Sequence, residues 1–253
     1  MVQMKPFLTD LRSALLFITI LPAGRNVAYS PVGMIKCFPL VGLILGGLLA
    51  AVDAAASLIW PPAAVAVLDV VFLVIVTGAF HLDGLGDAAD GIFSHRPREQ
   101  VLEIMKDSRT GMMGLVAIFC ILAIKMAAVY SLKTEEDGWQ LLVLFCMVPA
   151  LARGGMIFGI RFLAYGRKNT GTGRDLFESP IRYGDFVFLL IPVVASLFLG
   201  YKGLFLILVF LVCLVAILGF YKQKLNCITG DMLGALCEIT EAFLFLAAGA
   251  AIV

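Results

Sequence analysis

The chain has 253 residues, of which 61% are hydrophobic and 15% charged, and its mean hydropathy is +1.01. A soluble domain carries roughly 45–50% apolar residues and about 25% charge, so this composition excludes an ordinary water-soluble enzyme as well as a disordered chain. The net charge of +1 supplies no global field of the kind nucleic-acid binding needs.

Unbroken apolar runs of roughly 18–24 residues predict an all-α polytopic membrane protein, because a transmembrane barrel would alternate apolar and polar residues in segments of about ten. The N-terminal segment carries Asp10 and Arg12 beside the short apolar stretch 11–21. That stretch is too brief for a clear span and reads as re-entrant or interfacial. It lacks the small-residue cleavage site of a signal peptide, so it reads as mature protein. Seven longer stretches follow, at 37–60, 64–81, 112–131, 139–160, 185–201, 203–221 and 232–253. No internal repeat interrupts them, and a single membrane domain over 1–253 is the simplest organisation. Six cysteines stand singly, most of them inside apolar runs, and read as small buried hydrophobes.

Basic residues alternate sharply between connections. The segments before the first span, at 82–111, at 161–184 and at 222–231 hold four, four, five and two of them; the connections on the other side hold none, one, one and none. The positive-inside rule then makes the fifteen-residue side cytoplasmic, with the N-terminus inside and the C-terminus outside. Lys125 and Arg153 fall within spans.

The polar chemistry gathers on that same side. In His81-Leu-Asp-Gly-Leu-Gly-Asp-Ala-Ala-Asp-Gly91, Asp83, Asp87 and Asp90 stand at i, i+4 and i+7, on one helical stripe about 60° wide. Three carboxylates so placed repel one another unless a cation sits between them, and hard oxygen ligands suit Mg²⁺. A solvated acidic helix end is the alternative, although the run holds no lysine. Next, Lys106, Asp107 and Arg109 could present a cationic edge to phosphate oxygens, or could be a cytoplasmic anchor. Asp231, Glu238 and Glu241 enter the last span. A carboxylate at a helix centre in a bilayer costs about 2.5–3.5 kcal/mol on insertion scales and is a functional-site candidate by default; pairing with Arg153 or Lys125 is the structural alternative. The basic, glycine-rich loop 166–174 could close over an anionic substrate, or could simply be flexible.

These features together fit metal-assisted attack on a phosphate or diphosphate. Neither a Walker loop nor an H-E-x-x-H or G-x-S-x-G motif is present. Three readings compete on the residues alone: a phosphotransferase joining an alcohol to a nucleotide-activated phosphate, an intramembrane prenyltransferase, and a cation-coupled transporter. Asp87-Ala-Ala-Asp90-Gly91 is similar to the D-x-x-D-G opening of CDP-alcohol phosphotransferases. However, Ile92-Phe93-Ser94 stand where Ala-Arg should follow, and no second D-x-x-x-D comes at the expected distance. The prenyltransferase pattern also lacks its second motif. A transporter would spread its polar residues toward the midplane of several helices.

The run from His81 to Gly91, followed by Leu102-Glu-Ile-Met-Lys-Asp-Ser-Arg109, closely resembles the signature of the cobalamin synthase (adenosylcobinamide-GDP ribazoletransferase) family. Phe17-Ile-Thr-Ile-Leu-Pro22 and Phe38-Pro-Leu-Val-Gly42 resemble that family's N-terminal features. Ile228-Thr-Gly-Asp-Met-Leu-Gly-Ala235, with Glu238 and Glu241, resembles its C-terminal one. The resemblance implies a Mg²⁺-dependent enzyme of the prokaryotic cytoplasmic membrane. It would join adenosylcobinamide-GDP to α-ribazole or its 5′-phosphate and release GMP, in the last assembly step of the cobalamin nucleotide loop. It implies metal ligands among Asp83, Asp87, Asp90 and Asp231, and catalytic carboxylates among Asp87, Asp90 and Glu238. Substrate-binding roles would fall to Lys106, Asp107, Arg109, Arg153 and Glu241. His81 points away from the aspartate stripe on an ideal helix and reads as structural. The resemblance leaves self-association into a homo-oligomer open.

Overall fold

The computed structural model describes residues 4–24, 27–107, 109–136, 138–167 and 173–250. Among them the regular structure is helical, apart from one isolated parallel bridge between Tyr165 and Ile228. The helices are α1 (Met4–Ile18), α2 (Pro31–Ile35), α3 (Phe38–Ser57), α4 (Pro62–Val76), α5 (Phe80–Ile92), α6 (Arg98–Ile104), α7 (Met112–Glu135), α8 (Gly138–Phe162), α9 (Leu190–Leu197), α10 (Gly200–Lys224) and α11 (Gly230–Ala248). Two 3-10 turns, Arg174–Phe177 and Tyr183–Leu189, lie between α8 and α9. The described cysteines are all free.

Four of these helices, α3, α7, α8 and α10, are long and apolar enough to cross a membrane. A fifth crossing results if α4 and α5 count as one broken span. The remaining apolar stretches take other forms. The 185–201 stretch folds as a 3-10 turn followed by an eight-residue helix. The last one folds as the 19-residue α11, which bears three carboxylates and is buried over most of its length. Near the N-terminus, α1 is a 15-residue amphipathic helix; Asp10, Ser13, Ala14 and Ile18 are buried on one face while Leu8 and Leu16 are exposed.

Small residues decide how the spans meet. Gly42 and Gly46 on α3 lie against the backbone of Pro149–Ala150 and Phe145–Cys146 on α8, where a Cβ on either would collide. Close backbone approach at small residues is how helices associate in lipid, where no hydrophobic force separates them from the solvent. The outward faces of α7 and α10 carry exposed Leu115, Val116, Phe119, Leu208, Val212 and Val215, an apolar surface larger than a soluble monomer would show.

One break sets up the polar end of the bundle. Gly78 and Ala79 adopt the left-handed conformation, with φ of 59° and 55°, which an L residue such as alanine enters at a cost. The chain turns there, so that α5 leaves α4 at 87°. The aspartate stripe therefore lies on a helix set across the spans instead of along one.

Candidate active site

The crossing of α5 and α11 brings the acids together. Gly84 on α5 faces the Asp231 backbone so closely that a Cβ would sit 2.8 Å from the Asp231 carbonyl oxygen. Gly234 on α11 faces the backbone of His81, with its Cβ position 3.1 Å from that carbonyl oxygen. The two glycines thus let the helices touch, and the Asp231 carboxylate comes within electrostatic range of Asp83 and Asp87. Asp83 is exposed, whereas Asp87 and Asp90 are half-buried. Local sequence supports the start of α11: the Thr229 side chain, on extended backbone, accepts the Met232 amide at 3.2 Å as an N-cap. Asp231 then falls in the first turn, where the helix dipole favours a negative charge.

Arg167 joins this group. Its Nη2 donates to Asp231 Oδ2 and, at 2.9 Å, to the Met105 carbonyl at the end of α6. The isolated bridge explains its position. Gly166 donates to the Ile228 carbonyl at 2.8 Å and Ile228 donates to Ala164 at 3.0 Å, which lays the segment after α8 beside the start of α11. The Arg167 side chain is mostly buried, and its Nε is without a hydrogen-bond partner.

Asp90 has a different environment from its neighbours on the stripe. Its carboxylate accepts the Gly111 amide at 2.6 Å and the Gly114 amide at 2.8 Å. It thereby serves as an N-terminal cap for α7 from another helix, filling donors that a helix start leaves free. Lys106, Asp107 and Arg109 lie on the segment between α6 and α7. Lys106 pairs with Glu103 at 2.8 Å, and Arg109 forks onto Asp107, with Nη2 to Oδ2 at 2.6 Å. The Arg109 hydrogen bonds pull the Asp107 carboxyl down to about 2. Arg109 is nearly fully exposed.

Glu238 and Glu241 lie deeper, in a closed cluster of four charges. Lys125 Nζ on α7 donates to Glu238 Oε2 at 2.6 Å and to Glu241 Oε2 at 2.8 Å. Arg153 Nη1 on α8 donates to Glu241 Oε1 at 2.6 Å. All four side chains are at most 5% exposed. Two positive and two negative charges balance, and they tie α7, α8 and α11 into one unit. The structure therefore separates the carboxylates into two open ones (Asp83 and Asp87), one paired with Arg167 (Asp231), one capping group (Asp90) and a buried, paired set (Glu238 and Glu241). His81 is fully buried beside Phe80, and both its ring nitrogens are without a hydrogen-bond partner.

The profile of the cobalamin-5-phosphate synthase family matches residues 10–249. The chain belongs to that family. Among curated relatives, a protein of Roseiflexus sp. (strain RS-1) is 38% identical over 233 residues, covering 90% of this chain and 84% of the relative. One from Alkaliphilus metalliredigens (strain QYMF) is 35% identical over 94% of this chain and 95% of its own length. One from Acetivibrio thermocellus is 33% identical over 88% and 86%. All three bear the name adenosylcobinamide-GDP ribazoletransferase. No solved structure gives a significant match.

Within this family member, one residue of the polar end escapes sequence reasoning. Arg167 stands among several loop cations, and nothing in its neighbours marks it until the Tyr165–Ile228 bridge places it on Asp231. Lys125, by contrast, is one of the two cations that the sequence offers as partners for the α11 carboxylates, and it does pair with Glu238 and Glu241, as Arg153 does with Glu241. Of the 166–174 loop, residues 168–172 lie outside the described residues, as does Ser108.

Proposed function

We propose that this chain joins adenosylcobinamide-GDP to α-ribazole, or to α-ribazole 5′-phosphate, with release of GMP, as the final assembly step of the cobalamin nucleotide loop. Family membership and the names of its relatives support this reading. The observation that carries it is the meeting of Asp83, Asp87 and Asp231 with Arg167 where α5 crosses α11.

In the reaction, a ribazole hydroxyl oxygen forms a bond to the phosphorus next to cobinamide. The bond from that phosphorus to the bridging oxygen breaks, and GMP leaves with the electron pair. Asp87, half-buried and not held by backbone amides, takes the hydroxyl proton. Glu238, already bound to Lys125, stays out of this step. Arg167 orients the diphosphate, using donors that are planar and permanently charged. Exposed Lys106 and Arg109 sit on the adjoining segment, paired with Glu103 and Asp107, and they bind the anionic substrate by exchanging those partners for phosphate oxygens. Arg153 and Glu241 hold the helices beneath.

The donor set suits Mg²⁺. Among the described residues no three His, Cys, Asp or Glu side chains converge to hold a metal. Mg²⁺ is ordinarily held by one or two carboxylates plus substrate phosphates, and Asp83 and Asp87, with Asp231 opposite, have carboxylates not occupied by main-chain amides. Asp90 is committed to Gly111 and Gly114. When bound, the ion would neutralise phosphate charge and stabilise the leaving group.

The reading extends to topology. The chain crosses the cytoplasmic membrane of a prokaryote about seven times, with α4–α5 as a broken span and the 183–197 segment and α11 as further crossings. The N-terminus and the active site face the cytoplasm. The positive-inside bias supports this orientation; Trp60, Trp139 and Tyr201 lie exposed at the opposite ends of α3, α8 and α10, where they would mark the other membrane interface.

Purified protein in detergent, given adenosylcobinamide-GDP and α-ribazole with Mg²⁺ or with EDTA, tests the reading. Magnesium-dependent appearance of GMP and a cobalamin product in equal amounts is expected. Folded protein that yields neither would overturn it.

A further inference from the structure

An apolar slot lies between α8 and α10, with none of the stripe aspartates in its lining. On α10 it extends from Leu211 to Lys222 and on α8 it is walled by Phe158 and Phe162. At 1.5 Å per residue the α10 side is roughly 16 Å long, close to the ~15 Å hydrocarbon depth of one bilayer leaflet. Everything lining it is apolar except Lys222, which stands at one end. Arg161 lies at that same end, its guanidinium 5.9 Å from the Phe162 ring centroid. Both cations are exposed, and neither takes part in an ion pair among the described residues. Lys224, also exposed, follows in the last turn of α10.

An apolar channel one leaflet deep, with unneutralised cations at the headgroup level, has the shape and charge of an amphiphile with an anionic head. We infer that this slot binds one anionic glycerophospholipid, its acyl chain lying along α10 and its phosphate held by Lys222 and Arg161. A zwitterionic lipid would fill the same channel but would leave the cations without a net negative partner. The bound lipid packs against the end of α8, the helix that leads into Arg167, so occupancy steadies the segment that carries that side chain. The inference goes beyond the proposed reaction and does not depend on it.

Its test uses lipid retention and not turnover. The full-length protein would be reconstituted in nanodiscs of equal parts phosphatidylglycerol and phosphatidylcholine. It would then be released in mild detergent, and the lipids that stay bound would be counted by native mass spectrometry. Wild type should keep one phosphatidylglycerol in clear preference to phosphatidylcholine. Lys222→Gln should cut that preference roughly fivefold, since a basic side chain near an anionic lipid contributes about 1 kcal/mol. Gly219→Phe should expel the lipid. Gly219 lines the slot and a Cβ there meets nothing within 4 Å, so a ring can be added without pushing on backbone. Equal retention of the two lipids by wild type would overturn the inference, as would unchanged retention in Gly219→Phe eluting as a single species. If Gly219→Phe fails to fold, an unchanged preference in Lys222→Gln, Arg161→Gln and their combination overturns it alone.

Discussion

The Asp90 carboxylate holds the main-chain amide of Gly111 at 2.6 Å, across 21 residues of sequence. With its second bond to Gly114, it fastens the start of α7 to the helix that bears the aspartate stripe. Arg167 holds the other end of the same connection through the Met105 carbonyl. The segment bearing Lys106, Asp107 and Arg109 is thus pinned at both ends beside Asp87 and Asp231.

We propose Asp90 as a positioning residue. Asp90→Ala should leave two helix-start amides without their acceptor, at a cost of about 1–3 kcal/mol, and should speed hydrogen exchange over residues 105–114. Asp90→Asn keeps one acceptor oxygen and should retain more activity than Asp90→Ala. Equal exchange rates in wild type and Asp90→Ala would contradict the role.

Asp87 differs in having no such bond to hold. Asp87→Asn should lower turnover by about 10²–10⁴-fold, the usual contribution of a positioned acid or base, with membrane insertion and thermal stability unchanged. GMP release under saturating substrates measures this, and turnover within a few fold of wild type would rule Asp87 out as the proton acceptor.

Arg167→Lys keeps the charge but loses the reach of Nη2, which meets both Asp231 and Met105, together with the planar guanidinium's further donors. The KM for adenosylcobinamide-GDP should rise at least tenfold while the KM for α-ribazole changes little. Steady-state kinetics with each substrate varied in turn separates the two; a matched rise in both would point to general disruption of the site.

The buried four-charge cluster makes an opposite kind of prediction. Lys125→Met leaves Glu238 without a partner and should destabilise the protein by about 3–5 kcal/mol. Adding Glu238→Leu removes the stranded charge while Arg153 and Glu241 remain paired, so the double variant should recover much of the loss. Unfolding curves in detergent check both. A double variant no more stable than Lys125→Met would mean that the cluster does more than balance charge.

Asp107 supplies a control in pH. Its folded-state value is pulled down to about 2, so whatever its charged form contributes is complete above the ordinary carboxylate range and fades only as pH falls toward that value. Asp107→Asn should therefore leave the shape of the pH–rate profile above pH 5 unchanged. A displaced limb in that range would show that Asp107 meets other charges during turnover.

Residue order alone carries much of this protein. Long apolar runs dictate membrane helices, because an unpaired backbone in lipid is too costly for any other chain form. The spacing of Asp83, Asp87 and Asp90 places them on one stripe of any helix, and the blocks around them carry the family resemblance that the comparisons bear out. Periodicity could not divide the carboxylates among their roles, since it describes one helix at a time. Where α5 crosses α11 at Gly84 and Gly234, Asp231 joins Asp83 and Asp87. Glu238, seven residues further along α11, falls instead beside Lys125 and Arg153 on two other helices. Which acids stay open and which are neutralised depends on partners 20 to more than 100 residues distant. Only the packing of the bundle, set by glycine contacts and the left-handed turn at Gly78–Ala79, brings those partners into reach.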